Sequence, residues 1–230
     1  MPLAAVAPGL WSHVHRFRLP GGGSLQGRMN VVRLGDASTL VHSPTPIDDA
    51  LAAEIAALGP VAYIVAPNCY HHLHVTAFLA RFPDAEVYGA PGLAQKRPDL
   101  PLASTLDDAA AMPWAGLLDQ ITLAGAPKLG EVVFLHRPSR SLLVTDLLFN
   151  VTAPDGWMTA LILRAMGTYK RLGPSRLLRW RLTKDRRALK ASVERMLAWD
   201  FVRVLPGHGD VFEAPDARER TRASLGWVVA

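Results

Sequence analysis

The hydrophobic positions of this chain change period along its length. The runs "MNVVRLG", "STLVHSP" and "VAYIVAPN" are short and rich in β-branched residues, and Gly, Pro or Asn bounds each one, so they predict strands. Between the last two, "TPIDDALAAEIAAL" spaces Ile47, Leu51, Ile55 and Leu58 as on one helical face. Thr45 is its expected cap, Pro46 its first position, and Asp48 and Asp49 its acidic first turn. "TAFLARFP" predicts a short helix stopped by Pro83, and "EVYGAPG" a strand and turn. Residues 95–119 carry no clear period. "QITLAG", "EVVFLHR" and "SLLVTDLLFN" predict three strands, the last two joined tightly through "RPSR". Residues 156–198 read as helical with a break at Gly173-Pro174, "FVRVLPGHGD" as a strand and loop, and "APDARERTRASLGWVV" as a closing helix. The order is not a regular βαβ alternation, which argues against a doubly wound sheet.

Composition narrows the class. With 230 residues, half of them apolar, the chain can bury a sizeable core, and one domain over 1–230 is the simplest organisation, with a basic helical insert at about 156–198. The lone cysteine, Cys69, excludes an internal disulfide. With no charged n-region before "MPLAAVAPGLWSHVHRF", this suits a cytoplasmic protein. There is no eighteen-residue apolar run to span a membrane.

Three features end strands with possible metal ligands. "NCYHHLH" sets Cys69, His71, His72 and His74 after "VAYIV"; "LLVTDLLF" sets Asp146 near the end of an apolar run; "LPGHGD" sets His208 between two glycines. Strand ends on one sheet edge converge, and imidazole with carboxylate is a ligand set for zinc or iron. A solvated loop histidine and a turn-capping aspartate are the ordinary readings of His208 and Asp146 taken singly. His13 and His15 share a face if "WSHVHRF" is a strand and are expected as surface or packing residues, and Trp227 as a docking aromatic for the last helix.

Taken in order, "MNVVRLGDASTLVHSP", "YIVAPNCYHHLH", "EVVFLHRPSRSLLVTDLLF" and "VLPGHGD" resemble the metallo-β-lactamase-fold superfamily over roughly residues 29–210. The combination of "HSPTPIDDALAAEIAALGPVAYIVAPN" with "HH" resembles a branch labelled only as a domain of unknown function. The resemblance implies an α/β (α+β) fold, an αββα sandwich of two mixed sheets flanked by helices, with one or two zinc or iron ions along one edge. It also implies a hydrolase in which a metal-lowered water attacks an ester, thioester or phosphoester.

The chain departs from the family's H-x-H-x-D-H loop. One register puts His71 and His72 at the Asp-His pair, leaving Pro67 and Cys69 at the first two histidines. The other makes His71 and His74 the second and last histidines, with Cys69 at the first and Leu73 at the aspartate. The turn histidine before the hairpin is replaced by "AGAPKLGEVVF". Asp146 matches the bridging aspartate and His208 the last histidine, and both are the expected catalytic residues. The expected ligands are therefore drawn from His71, His72, His74, Asp146 and His208. They suffice for one ion, and a second would have to recruit Cys69 or His42; an empty, degenerate site is the other outcome.

From Arg164 to Arg195 eleven Lys or Arg stand against Asp185 and Glu194, with Tyr169 and Trp180 interleaved. A solvated helix face is the plain reading, with Leu189, Val193, Met196 and Leu197 as the core-facing stripe. Three functional readings stand beside it: a cover selecting a small anionic or ester-like substrate, a membrane-surface contact, and, less favoured, a nucleic-acid contact. Two functions follow, a metal-dependent hydrolase with a reduced site, or an inactive binding module on the same fold whose basic segment meets an anionic partner.

Overall fold

The computed structural model describes residues 2–19 and 23–230, so residues 1 and 20–22 of the expected 1–230 domain lie outside it. The N-terminal segment, left open by its pattern, forms two strands, β1 (Ala4–Ala7) and β2 (Leu10–Arg18). They run antiparallel to each other, and β3 (Ser24–Arg33) and β4 (Thr39–His42) continue the antiparallel order. Helix α1 (Asp49–Ala56) starts later than the pattern predicted. Its cap is Asp48, whose carboxylate accepts from the Leu51 N–H at 2.8 Å, while Thr45 is engaged by the His13 ring at 2.7 Å. β5 (Val61–Ala66) then lies parallel to β4, and crossovers through α2 (Val75–Arg81) and α3 (Leu93–Lys96) add β6 (Glu86–Gly89) and β7 (Leu102–Thr105), also parallel.

The second sheet begins with β8 (Leu118–Thr122), β9 (Val132–His136) and β10 (Ser141–Leu143), an antiparallel meander. Here one expectation fails. "SLLVTDLLFN" is not a single strand, because the chain leaves the sheet after Leu143 and pairs again only as β11 (Phe149–Asn150). Val144, Leu147 and Leu148 are buried among helix and sheet residues, so the run is apolar for burial without being extended.

The basic segment supplies α4 (Gly156–Met166), a π-helical turn at Leu178–Leu182 and α5 (Arg186–Leu197). β12 (Arg203–Leu205) returns parallel to β10, β13 (His208–Gly209) pairs with β11, β14 (Phe212–Glu213) edges the sheet, and α6 (Ala217–Ser224) and α7 (Gly226–Val229) close the chain.

Strand alternation explains the layers. Val31, Val41, Ile64 and Val87 of the first sheet pack with Leu51, Ile55 and Phe78 of its helices. Their neighbours Val32, Leu40, Val65 and Tyr88 pack with Val132, Phe134, Leu143 and Leu205 of the second sheet. The second sheet's other face meets Leu189, Val193, Met196 and Leu197, the stripe expected on α5, with Trp227 of α7 against the same cluster. The result is helix, sheet, sheet, helix. No helix of the described residues is long and apolar enough to cross a membrane.

Candidate metal centre

Three chain segments leave the sandwich at one edge. β10 and β12 are parallel, with Leu143 beside Leu205, so the loops that follow them emerge together. Cys69 and Pro67, past the end of β5, hydrogen-bond across to Leu129 and Val132 at the start of β9, which brings the third loop to the same edge. The loops carry His71, Asp146 and His208, and one ligand atom from each lies within 4.8 Å of the others.

The geometry of this group suits a cation. His208 Nδ1 donates to the Gln26 carbonyl at 2.8 Å, which leaves Nε2 facing Asp146 Oδ1 at 3.4 Å. His71 Nδ1 meets Ser43 Oγ at 2.8 Å, and its Nε2 faces Asp146 Oδ2 at 3.5 Å. Both imidazole–carboxylate separations exceed the ~2.7–2.9 Å of a charge-assisted hydrogen bond. Each ring is held by its far nitrogen with its near nitrogen turned inward, the arrangement of a metal-ligating histidine with an outer-shell anchor. Burial would push the Asp146 carboxyl up, but His71 foremost and His208 outweigh it and hold the group well below the usual carboxylate range. Two histidines and a carboxylate make a three-ligand set that leaves a position open for water or substrate.

Residues not singled out by sequence hold this group. The Asn68 amide donates to Asp146 Oδ2 at 2.8 Å, and its carbonyl accepts from the Tyr70 and His71 N–H groups, each at 2.7 Å. Glu131, fully buried, accepts from the backbone N–H of Thr145 at 2.7 Å and of Asp146 at 2.9 Å. Burial first and the Asp146 charge second push its carboxyl up to about 8. Arg28 clamps the "PGHG" loop. Its backbone N–H donates to the Gly207 carbonyl, Nε to Pro206 and Nη2 to Gly209.

The two glycines beside His208 have separate reasons. A Cβ at Gly207 would lie 3.0 Å from both His71 Cε1 and Thr145 Cα, while Gly209 sits at φ +99° with its Cβ position 2.3 Å from the Asn150 carbonyl. Phe149 stacks on the His208 ring at 4.9 Å between centroids, and Phe17 meets it edge-on at 6.1 Å.

The remaining expected ligands lie elsewhere. His72 is buried with Nδ1 against Arg97 Nη1 at 3.0 Å, and His74 stands at the start of α2, lining the adjoining cavity but outside the three-residue group. Burial lowers both imidazoles. The Cys69 thiol donates to the Pro91 carbonyl at 3.5 Å, and burial raises it. His42 packs edge-on against Phe134, with Nδ1 near the Asn30 amide. His13 is buried on Thr45, and His15 lines the cavity.

The cavity over the centre measures about 570 Å³, within the usual range for small-molecule sites. No Lys or Arg of Arg164–Arg195 lines it; that segment contributes Met166, Ser175, Leu177, Leu178 and Leu182.

Residues 24–163, more than half of the chain, match the model of the family described as Domain of unknown function (DUF4336), a span that holds His71 and Asp146 and stops short of His208. No curated protein matches the sequence. Solved structures share the fold. A metallo-β-lactamase from Erythrobacter litoralis, with β-mercaptoethanol in its active site, superposes with a TM-score of 0.68 at 16% identity, covering 98% of this chain and 96% of that one. The mono-zinc form of a metallo-β-lactamase from Pseudomonas aeruginosa gives 0.62 at 14% identity, covering 99% and 92%. A metal-soaked flavodiiron core from Synechocystis gives 0.66 at 12% identity, covering 98% of this chain and 60% of that one.

Proposed function

Since the chain belongs to the DUF4336 family and has the metallo-β-lactamase fold, we propose that it is a metal-dependent hydrolase of an ester, thioester or phosphoester, with one metal ion held by His71, Asp146 and His208. The observation that carries this reading is the convergence of three ligand atoms, from three strand-end loops, at the floor of a substrate-sized cavity. Zinc or iron bound there supplies Lewis acidity toward the scissile group and brings the pKa of a water toward neutrality. The chain's own residues do the rest. Gln26 and Ser43 hold the two rings, Asn68 and Glu131 hold Asp146, and Asp146, the sole carboxylate among the described residues of the lining, stays ionised to accept a hydrogen bond from the nucleophile.

The test is elemental analysis of untagged protein by plasma mass spectrometry, alongside a screen of chromogenic esters, thioesters and phosphoesters. Near one zinc or iron per chain is expected, lost in His208→Ala, with turnover abolished by a chelator and restored by metal. Unchanged metal content in His208→Ala, or none after metal is added back, overturns the assignment. A metal that binds only the folded protein also raises its melting temperature, by about 2.7 kcal/mol of stability at a hundredfold excess over Kd.

A second reading rests on the basic segment. Among the described residues, only Lys190 and Arg195 of its eleven cations have an ion pair within 4.0 Å. That surface suits an anionic partner, such as a membrane face, on an inactive fold. A chelator-insensitive melting temperature with no bound metal would favour it.

A further inference from the structure

The cavity above the His71–Asp146–His208 group is lined mostly by apolar surface, with His15, Thr45, His74 and Ser175 as further polar side chains. Its apolar lining includes Leu25, Met166, Leu178 and Leu182, together with the exposed Leu73 and Leu177. Leu73 is 70% exposed and Leu177 51%, so the apolar lining continues to the protein surface. Free solvation of so many large apolar groups around an opening is costly unless something apolar covers them.

The charged groups are spoken for. Arg28, the only Lys or Arg among the described residues of the lining, is buried and directs Nε and Nη2 to the Pro206 and Gly209 carbonyls. Away from the metal group, then, no Lys or Arg side chain of the described lining is free to pair with an anionic group of a substrate. The two phenylalanine rings are also occupied, Phe149 stacked on His208 and Phe17 edge-on to it. Beside the aromatic Tyr70, the large apolar side chains that remain in the lining, Leu25, Leu73, Met166, Leu177, Leu178 and Leu182, are aliphatic, and the unbranched Met166 adapts readily to a flexible alkyl chain.

We propose that this site takes a carboxylic ester or thioester with an unbranched, medium-length alkyl acyl chain. The acyl carbonyl lies at the His71–Asp146–His208 end and the chain lies along Met166, Leu178 and Leu182. This narrows the hydrolase reading above and rests on it for the bond cleaved, though not for the binding of the chain. In that reaction the oxygen of water bonds to the acyl carbon. The C–O or C–S bond breaks with its electron pair on the leaving alkoxide or thiolate, which takes up the proton released from the water, giving a fatty acid and an alcohol or thiol.

Binding is tested apart from turnover, with uncharged, non-hydrolysable probes. Hexyl, octyl and decyl methyl ketones are titrated by calorimetry into metal-stripped and zinc-loaded full-length protein. Burial of each added pair of methylenes should tighten Kd about tenfold. Met166→Glu in the wall and Leu177→Glu at the exposed mouth should each weaken decyl methyl ketone at least tenfold, with metal content unchanged, while Trp157→Ala, outside the lining, should leave it unaltered. Leu177 is exposed enough that its variant folds if Met166→Glu does not. A Kd that ignores chain length, or that neither glutamate changes, overturns the proposal even where zinc binds. Ketone binding with no metal uptake upholds the chain site and overturns the hydrolase reading alone.

Discussion

Asn68 ties two of the three ligand loops together with one amide. Its N–H₂ holds Asp146 Oδ2, its oxygen holds the His71 backbone N–H, and no flipped amide satisfies both. Asn68→Ala is therefore expected to weaken metal binding by roughly 10–100-fold without unfolding the protein, read by competition with a chromogenic chelator. Asn68→Asp should do worse, since it sets a second carboxylate against Asp146. An unchanged affinity in both would mean the loops hold themselves. None of this was legible in the sequence. An asparagine after a strand reads as a turn residue, Arg28 precedes the "MNVVRLG" run without a pattern of its own, and Glu131 follows the "AGAPKLG" stretch noted only for lacking a histidine. Asp146 and His208 stood out as candidates because one interrupts an apolar run and the other follows one. The register of "HHLH" was open because spacing alone does not say which ring turns inward; the structure turns His71 in and His72 toward Arg97.

At the scale of elements, α5 shows pattern and packing in agreement, whereas its start depends on a residue sixty positions away. Asp185 caps α5 on the Ala188 N–H at 3.0 Å, and the Gly125 carbonyl accepts from both Lys184 and Asp185 N–H groups. Gly125 sits at φ +81°, and a Cβ there would fall 2.0 Å from the Asp185 carbonyl oxygen. Asp185→Ala is expected to cost about 1 kcal/mol, the usual loss of an N-cap. Gly125→Ala should cost more, because the left-handed backbone alone costs about 1–2 kcal/mol for a residue with a side chain and the overlap adds displacement of α5. Urea midpoints of the two variants check the order; Gly125→Ala at or below the cost of Asp185→Ala would show that the loop yields freely. The stripe on α5 was readable because one face is buried and 3.6-residue periodicity records it. The end of β10 was not, because Val144–Leu148 is buried without being a strand and an apolar run does not distinguish the two.

Across the whole molecule, the same burial that builds two sheets face to face leaves histidines without water. His136 ends β9, 1% exposed, with Nδ1 on Ser139 Oγ at 2.6 Å, and burial lowers it to about 4. The unfolded chain takes up a proton there at about 6.5, where the folded protein does not. Stability is therefore fully present above about pH 6.5 and falls as the pH drops toward 4, because the unfolded state binds the extra proton. At about 1.4 kcal/mol per pH unit, the loss attributable to this ring approaches roughly 3 kcal/mol. His42, lowered to about 3 by burial and then by His71, adds loss in the same direction. Urea midpoints measured for wild type and His136→Gln between pH 7 and 4 separate the contributions, since His42 and the carboxylates are common to both. The wild-type curve should fall more steeply than the variant's below pH 6.5. Parallel curves would mean that the His136 ring charges within the fold, and that the packing between β9 and the N-terminal strands opens in acid before the sandwich does.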